Sequence, residues 1–175
     1  IIIPLHYKTA LHGLFNRIFR MIGRSLLHNE GFKDGPRIFR LFTFSDIQER
    51  ARRSGEMLAF KDEITVYFSS FDKNLCLDIA RHMIEQRPRI GSSYFDNVTI
   101  GVADPQVTDR VIRVQTVSPI VTYETLHHAS GKPYYNYFST DHPSFAAAVH
   151  RNLIRKFNII HPDNPLALPT NEVQK

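Results

Sequence analysis

Cysteine is nearly absent from the sequence, since Cys76 is the only one among 175 residues. A single cysteine cannot form an internal disulfide, and no Cys-x-x-Cys pair exists to bind zinc. Such sparse cysteine usage is typical of a reducing cytoplasm, where disulfides are rare. We therefore expect a cytoplasmic protein in which Cys76 is simply a buried apolar residue.

Long apolar runs are absent as well. No stretch approaches the roughly 18 to 20 apolar residues that a membrane span needs, and the opening Ile1-Ile2-Ile3-Pro4 is shorter than the apolar region of a signal peptide. The sequence has no Gly-x-x-x-x-Gly-Lys loop for nucleotide phosphates. Its carboxylates do not cluster as a two-metal nuclease requires. We expect no membrane, no metal and no cofactor.

Basic residues outnumber acidic ones, which gives a net charge of +5 and a sequence pI near 9.5. Lysine and arginine that neutralise phosphates release counterions, so this excess favours a polyanionic partner. The charge alone does not identify such a partner, because many basic proteins bind no nucleic acid.

The first predicted helix has two different faces. Its apolar residues follow helical spacing and predict a buried stripe, formed by Leu11, Leu14, Phe15, Ile18 and Ile22. Basic side chains lie mostly four residues apart on the opposite side, namely Lys8, His12, Arg17, Arg20 and Arg24. That surface is either an ordinary solvated face or a binding face. The Gly31 to Gly35 region and Pro36 are expected to end this element.

The following segments predict an α+β fold. Strands are expected at residues 37–45, 63–69 and 94–102, and a helix capped by Asp72 is expected to run to Pro88. With Ile1 to Ile3 as a leading strand, the order is βαββαβ, a ferredoxin-like, RRM-like unit. Its predicted range is residues 1–104.

A second unit is predicted for residues 108–175, after the linker Asp104-Pro105-Gln106. We expect a strand at residues 110–117, a turn at Ser118-Pro119, β-rich sequence to Tyr123, a polar loop, and a helix opened by Asp141 and Pro143. Only the beginning of a second ferredoxin-like unit is therefore expected.

Several motifs, taken in order, resemble the CRISPR repeat-processing endoribonucleases of the RAMP superfamily. The N-terminal motifs are Pro4-Leu5-His6-Tyr7, Leu11-His12-Gly13-Leu14, Leu27-His28-Asn29-Glu30-Gly31-Phe32 and Arg40-Leu41-Phe42-Thr43-Phe44-Ser45. Ser118-Pro119-Ile120 and Asn152-Leu153-Ile154-Arg155-Lys156 resemble the start of that family's second ferredoxin-like unit. The resemblance covers about two thirds of a family member, and the family's C-terminal glycine-rich loop is expected to lie outside this sequence.

The resemblance implies metal-independent cleavage of CRISPR precursor RNA within each repeat. The ribose 2′-hydroxyl attacks the adjacent phosphate and leaves 2′,3′-cyclic phosphate and 5′-hydroxyl ends. The implied partners are repeat RNA, the mature guide RNA and other subunits of a CRISPR effector complex, in a prokaryotic cytoplasm. A homodimer is left open.

The resemblance also points to site residues. His28 matches the family's catalytic histidine, and an imidazole titrates near working pH, as an acid or base should. Arg40, or Lys33 in its place, is expected to stabilise charge on the phosphate. Asn16 stands where some relatives have a tyrosine, which leaves a third catalytic role open. Expected RNA contacts are Arg17, Arg20, Arg24, Arg37, His127, His128 and Lys132.

Ordinary structural roles compete with each of these assignments. His28 is otherwise a surface histidine at a helix end, and Arg40 a solvated arginine at a strand edge. Tyr134, Tyr135 and Tyr137 either stack on unpaired bases or are half-buried strand residues. For the whole chain, the alternatives are a catalytically silent RAMP-type subunit that binds guide RNA and a ferredoxin-like small-molecule or dimerisation module. His28 separates the first alternative from the enzyme, and the ordered motifs argue against the second.

Overall fold

A computed structural model describes residues 1–24, 30–35 and 37–168. Its helices are α1 (Tyr7–Met21), α2 (Lys73–Glu85) and α3 (Pro143–Ile160). Its strands are β1 (Ile2–Pro4), β2 (Phe32–Asp34), β3 (Arg37–Phe39), β4 (Phe42–Phe44), β5 (Arg52–Ser54), β6 (Met57–Ala59), β7 (Phe68–Ser70), β8 (Arg89–Ile90), β9 (Ser93–Tyr94), β10 (Tyr123–His127) and β11 (Pro133–Tyr137). This mixture of helices and strands confirms the α+β character of the prediction. Within the described ranges, no helix has the length and apolar character needed to cross a membrane.

The chain divides into two compact units. The first comprises Ile1–Gly31 and Arg40–Ser118, and the second comprises Phe32–Phe39 and Pro119–Lys175. All strand pairs are antiparallel. The first unit contains the sheet β1-β6-β5 and the pairs β4-β7 and β8-β9, whereas the second contains the pairs β2-β3 and β10-β11.

Helix α1 buries Leu11, Leu14, Phe15 and Ile18 of the predicted apolar stripe, whereas Ile22 lies just past the helix end and is half-buried. Phe19, which was not predicted, is fully buried. The helix ends at Met21, well before the Gly31 to Gly35 region. Gly23 ends it because its φ of 73° is left-handed, and Arg24 N then donates to Phe19 O at 2.7 Å. This is the usual glycine-dependent helix end.

Aromatic rings join α1 to the β4-β7 pair. The ring of Phe15 lies 4.9 Å from Phe44 and 5.0 Å from Phe68 between centroids, and Phe19 lies 4.8 Å from Phe42. We call these five residues the phenylalanine cluster. Buried side chains from β1, α2 and β8 extend the same core, namely Ile3, Leu75, Ile79 and Ile90.

Helix α2 begins and ends as predicted. The Asp72 carboxylate accepts from Asn74 N at 2.9 Å and from Leu75 N at 3.3 Å, which caps the N-terminus. The helix stops at Glu85, shortly before Pro88. Cys76 is a free, half-buried thiol, so it is less buried than expected.

Polar contacts fasten residues 45–49 to neighbouring segments of the first unit. The buried Ser45 Oγ accepts from Tyr67 N at 3.0 Å, and Asp46 N donates to Ser118 Oγ at 2.9 Å. Thr65 N donates to a Glu49 carboxylate oxygen at 2.6 Å. Burial raises the pKa of Glu49, but hydrogen bonds from the side chain and backbone of Thr65 and from the backbone of Glu49 itself together leave the pKa below its ordinary value.

The predicted strands at residues 63–69, 94–102 and 110–117 were largely wrong. The first overlaps β7 only at Phe68 and Ser69, the second overlaps β9 only at Tyr94, and the third is absent. Every residue between β9 and β10 is described, and none is in a helix or strand. Val111 and Val114 are 86% and 75% exposed. Alternating sequence favours a strand only where a second strand pairs with it, and this segment has no such neighbour.

Two other predictions needed correction. The single strand predicted at residues 37–45 is split at Arg40 and Leu41, because β3 pairs with β2 and β4 pairs with β7. The polar loop predicted after Tyr123 is instead the hairpin β10-β11. Its turn includes Gly131 at a φ of 77°, which glycine adopts without strain.

Helix α3 begins at Pro143, as its sequence predicts, although His142 rather than Asp141 caps it. The His142 ring accepts from Ser144 N at 3.1 Å. Arg155 on α3 pairs with Asp34 of β2 at 3.1 Å. Among the described residues of the second unit, the buried apolar side chains are Phe39 and Ile154. This unit therefore has a much smaller core than the first.

Candidate nucleic-acid interface

The predicted catalytic residues are distributed over different parts of the chain. His28 lies outside the described residues. Lys33 is exposed on β2, in the second unit, and Arg40 is exposed between β3 and β4, in the first unit. Asn16 lies on α1 and is half-buried. The catalytic roles of these residues remain predictions.

The basic face of α1 is only partly available for a polyanion. Lys8 pairs with Asp46 at 2.9 Å, and this hydrogen bond raises the pKa of Lys8 above its ordinary value despite the opposing effect of burial. Arg24 pairs with Asp78 of α2 at 3.6 Å. Among the described residues, no carboxylate lies within 4 Å of the Arg17 or Arg20 guanidinium. Arg17 and Arg20 thus carry the uncompensated charge of this helix.

Lys33 and Arg37 lie on opposite faces of the β2-β3 hairpin. Lys33 pairs with Ile38, whereas Asp34 pairs with Arg37, and paired residues share one face of an antiparallel ladder. The buried Phe39 shares the face of Arg37. The structure therefore does not unite Lys33 and Arg37 on one surface, although both are exposed.

The turn of the β10-β11 hairpin brings three predicted RNA contacts together. His127 ends β10, and His128 N donates to Lys132 O at 2.9 Å across the turn. The His128 ring lies 4.5 Å from the Tyr134 ring. All three basic side chains are exposed, so this end of the hairpin is an accessible basic tip.

One face of the same hairpin is covered by tyrosines. Tyr123 lies 5.1 Å from Tyr135 and 5.5 Å from Tyr137 between ring centroids. Their side chains are 52%, 54% and 63% exposed. We call these three residues the tyrosine face. Tyr134 lies on the other side with Glu124 and Asn136, which are joined by a hydrogen bond of 2.8 Å.

The sequence pointed to Tyr135 and Tyr137 of the tyrosine face but not to Tyr123, which lies on the other strand of the hairpin. Nor did it point to Arg87 and Arg89, which line a cavity beside Arg17. In the sequence, these two arginines appear only as the run Arg-Pro-Arg at residues 87–89, which has no helical spacing and matches no known motif.

In the described part of the chain, no group of three His, Cys, Asp or Glu side chains is arranged to hold a metal ion.

Comparison with known proteins gave one family match and two structural matches. Residues 102–175 match the family model for the C-terminal part of the CRISPR associated protein Cas6. A solved structure described as CRISPR associated protein Cas6 has a TM-score of 0.69 at 18% identity, over 95% of this chain and 68% of that one. No curated protein matches this sequence.

The second structure is described as the characterization of a Cas6-related gene from Pyrococcus furiosus. Its TM-score is 0.60 at 18% identity, over 96% of this chain and 66% of that one. The chain thus spans about two thirds of the length of both structures. At such low identity these likenesses establish the fold, and the family model supplies the sequence evidence. Together they confirm the resemblance seen in the motifs and support a relationship between this chain and the Cas6 family of CRISPR-associated proteins.

Proposed function

We propose that this chain forms the larger part of a metal-independent endoribonuclease that cleaves CRISPR precursor RNA within its repeats. The match of residues 102–175 to the Cas6 C-terminal model is the observation that carries this proposal. The substrate is repeat RNA, and the product is a guide RNA that other effector subunits receive. The setting is the cytoplasm of a prokaryote.

The proposed architecture is a ferredoxin-like unit at residues 1–104 and the start of another at residues 108–175. The antiparallel pairing of β4 with β7 supports the first unit, because the ferredoxin-like plan pairs its second and third strands. Phe19 of α1 packs on Phe42 of this pair, as a helix covering one sheet face should. In the second unit, α3 follows the β10-β11 hairpin.

The proposed chemistry is attack of a ribose 2′-hydroxyl on the adjacent phosphate. It needs a base for that hydroxyl, an acid for the leaving 5′-oxygen and a cation near the developing charge. His28 is our candidate for acid or base, on the strength of its position in the family motif. Arg40 is our candidate cation, with Lys33 as the substitute. The products are a 2′,3′-cyclic phosphate and a 5′-hydroxyl.

RNA binding is proposed for surfaces that combine positive charge with exposed rings. The basic tip of the β10-β11 hairpin adjoins the tyrosine face, and rings of this kind stack on unpaired bases without regard to sequence. Arg17, Arg20, Arg24 and Arg37 are proposed to contact phosphates. Arg24 would first have to exchange its ion pair with Asp78 for a phosphate.

The decisive experiment replaces His28 by alanine in the full-length protein. We expect cleavage of repeat RNA to slow by about 10²- to 10⁴-fold, the usual contribution of general acid-base catalysis, while affinity stays unchanged. His150→Ala, an exposed histidine on α3, is the matched control and should cut at the wild-type rate. Single-turnover cleavage and equilibrium binding should be measured on the same RNA.

Two further observations test the chemistry itself. A 2′-deoxy substitution at the scissile nucleotide should abolish cleavage because it removes the nucleophile, and chelators should leave the rate unchanged. The proposed mechanism is wrong if His28→Ala cuts at the wild-type rate or if the deoxy substrate is cleaved.

The second candidate function is a catalytically silent subunit that holds guide RNA. Asn16 favours it, because an amide cannot deliver a proton as a phenol or imidazole can. A wild-type protein that binds repeat RNA tightly but never cleaves it would establish this alternative.

A further inference from the structure

A cavity of about 320 Å³ lies in the first unit, between α1, α2 and the β8-β9 hairpin. Its polar wall is formed by Arg17, His82, Gln86, Arg87, Arg89 and Tyr94, and the residues that line it include no Asp or Glu. Its apolar wall consists of Leu14, Ile18, Met21, Met83 and Pro88. A cavity with several guanidinium groups and no lining carboxylate favours an anion.

Arg17 and Arg89 are held in place by contacts that do not neutralise their positive charge. An Nη atom of Arg17 donates to the backbone oxygen of Arg89 at 3.1 Å, and the remaining N–H groups of this guanidinium are left for a ligand. Arg89 lies 5.6 Å from the centroid of the Tyr94 ring. Among the described residues, neither arginine has a carboxylate within 4 Å.

Arg87 completes the cationic wall but is already paired. Its guanidinium forms an ion pair with Asp96 and lies 5.7 Å from the Tyr94 ring centroid. Arg89 pairs with Tyr94 in the β8-β9 register, so the ring and this arginine share one face of the hairpin. Tyr94 thus holds two guanidinium groups at the cavity by cation–π contact, and Arg89 is the one without a carboxylate.

The cavity has room for one nucleotide unit. Its volume is at the lower end of the range of about 300 to 1,000 Å³ found for small-molecule sites, too small for a duplex. The planar fork of an arginine fits two phosphate oxygens, and the apolar wall suits a ribose or a base. Met21, Arg87, Arg89 and Tyr94 are exposed, so the cavity is open and an RNA chain can continue from it in both directions.

We infer that Arg17 and Arg89 bind one phosphate of single-stranded RNA in this cavity, with the attached nucleoside against its apolar wall. This inference rests on the proposed function, because repeat RNA supplies the phosphate. It assigns a binding role to Arg89, which the sequence did not indicate, and it gives Arg17 a defined ligand. A free nucleotide carries the same phosphate chemistry and is the other source that the experiment must distinguish.

The test compares two double variants of the full-length protein with equal charge loss. Arg17→Gln with Arg89→Gln removes the cavity's unpaired guanidinium groups, whereas Arg50→Gln with Arg110→Gln removes two exposed arginines outside the cavity. Affinity for single-stranded repeat RNA should be measured over a range of salt concentrations. The cavity variant should bind roughly tenfold more weakly at low salt, and its salt slope should fall by about one, as expected for one lost phosphate contact.

Further measurements distinguish RNA from a free nucleotide as the ligand and control for misfolding of the variants. Arg89→Lys keeps the charge but loses the fork, and it should weaken binding less than glutamine does. Inorganic phosphate and adenosine monophosphate should compete with RNA only weakly, because each supplies one contact among many. Strong competition by the mononucleotide, without an effect of the cavity variant on RNA affinity, would identify a free-nucleotide site and overturn the inference.

Failure of this inference differs from failure of the proposed function. If the wild type binds and cleaves repeat RNA but both double variants bind equally well, only the cavity assignment is wrong. If the wild type does not bind repeat RNA at all, the proposed function and the cavity assignment fail together.

Discussion

The phenylalanine cluster of the first unit and the tyrosine face of the second have similar ring spacing in very different surroundings. Ring centroids lie 4.9 and 5.0 Å apart around Phe15, and 5.1 and 5.5 Å apart around Tyr123. Helix α1 contributes Phe15 to its cluster at 5% exposure, whereas Tyr137 is 63% exposed. Ring contact alone therefore does not make a core. The tyrosine hydroxyl, absent from phenylalanine, lets a ring remain in water and still contact its neighbours.

The largest expected effect is on stability, and it should occur in the phenylalanine cluster alone. Phe19→Ala should lower the free energy of unfolding by about 3–5 kcal/mol, because it leaves a cavity where a fully buried ring stood. Tyr137→Ala makes a comparable truncation on the tyrosine face and should change the free energy by less than about 1 kcal/mol. Urea denaturation followed by circular dichroism measures both. Equal losses in the two variants would contradict the distinction between core and surface.

RNA binding should depend on the tyrosine face rather than on the phenylalanine cluster, and the expected change in free energy is smaller than the loss of stability in Phe19→Ala. Tyr135→Ala should weaken binding of single-stranded repeat RNA by about 1–3 kcal/mol, the usual contribution of one stacked base. Tyr134→Ala, on the other face of the same hairpin, is the matched control and should have less effect. Fluorescence anisotropy with labelled RNA makes the measurement. The tyrosine face is not a stacking surface if the two variants bind RNA equally.

The smallest effect concerns Glu49, which accepts a hydrogen bond from Thr65 N in the first unit. Its pKa in the folded state is below the unfolded value, so the ionised carboxylate stabilises the fold above the unfolded pKa. That contribution is lost as the pH falls through the folded pKa. Wild type should therefore exceed Glu49→Gln in stability at pH 7, and the difference should disappear under acid conditions.

Thr65→Val should reproduce part of the Glu49→Gln loss at pH 7, because it removes the hydroxyl that helps to lower the pKa of Glu49. Urea titrations at several pH values would measure this. A stability difference between wild type and Glu49→Gln that persisted unchanged into strong acid would show that the carboxylate charge is not responsible.

Helices were more predictable than strands because their signals are local. The buried stripe of α1, the Asp72 cap of α2 and Pro143 at the start of α3 each depend on neighbours within a few residues. A strand depends on a partner elsewhere in the chain. The valines at residues 111 and 114 therefore gave a false strand signal.

Candidate RNA-binding residues could be predicted from the sequence only where they lie close together in one hairpin. His127, His128 and Lys132 meet because one short turn joins their strands. The cavity of the first unit instead gathers Arg17 and Arg89 from positions that are far apart in sequence, and no spacing rule connects them. The assignment of His28 depends entirely on the motif resemblance.

The split at Arg40 has a consequence for how the protein is made. Residues 32–39 belong to the second unit, yet residues 40–118, which belong to the first, are synthesised before the rest of the second. At about 5–20 residues per second, the ribosome needs several seconds to supply those intervening residues. The β2-β3 hairpin emerges early and must wait for α3 before Asp34 can meet Arg155. The first unit is therefore free to fold during synthesis, whereas the second is completed only after α3 has been made.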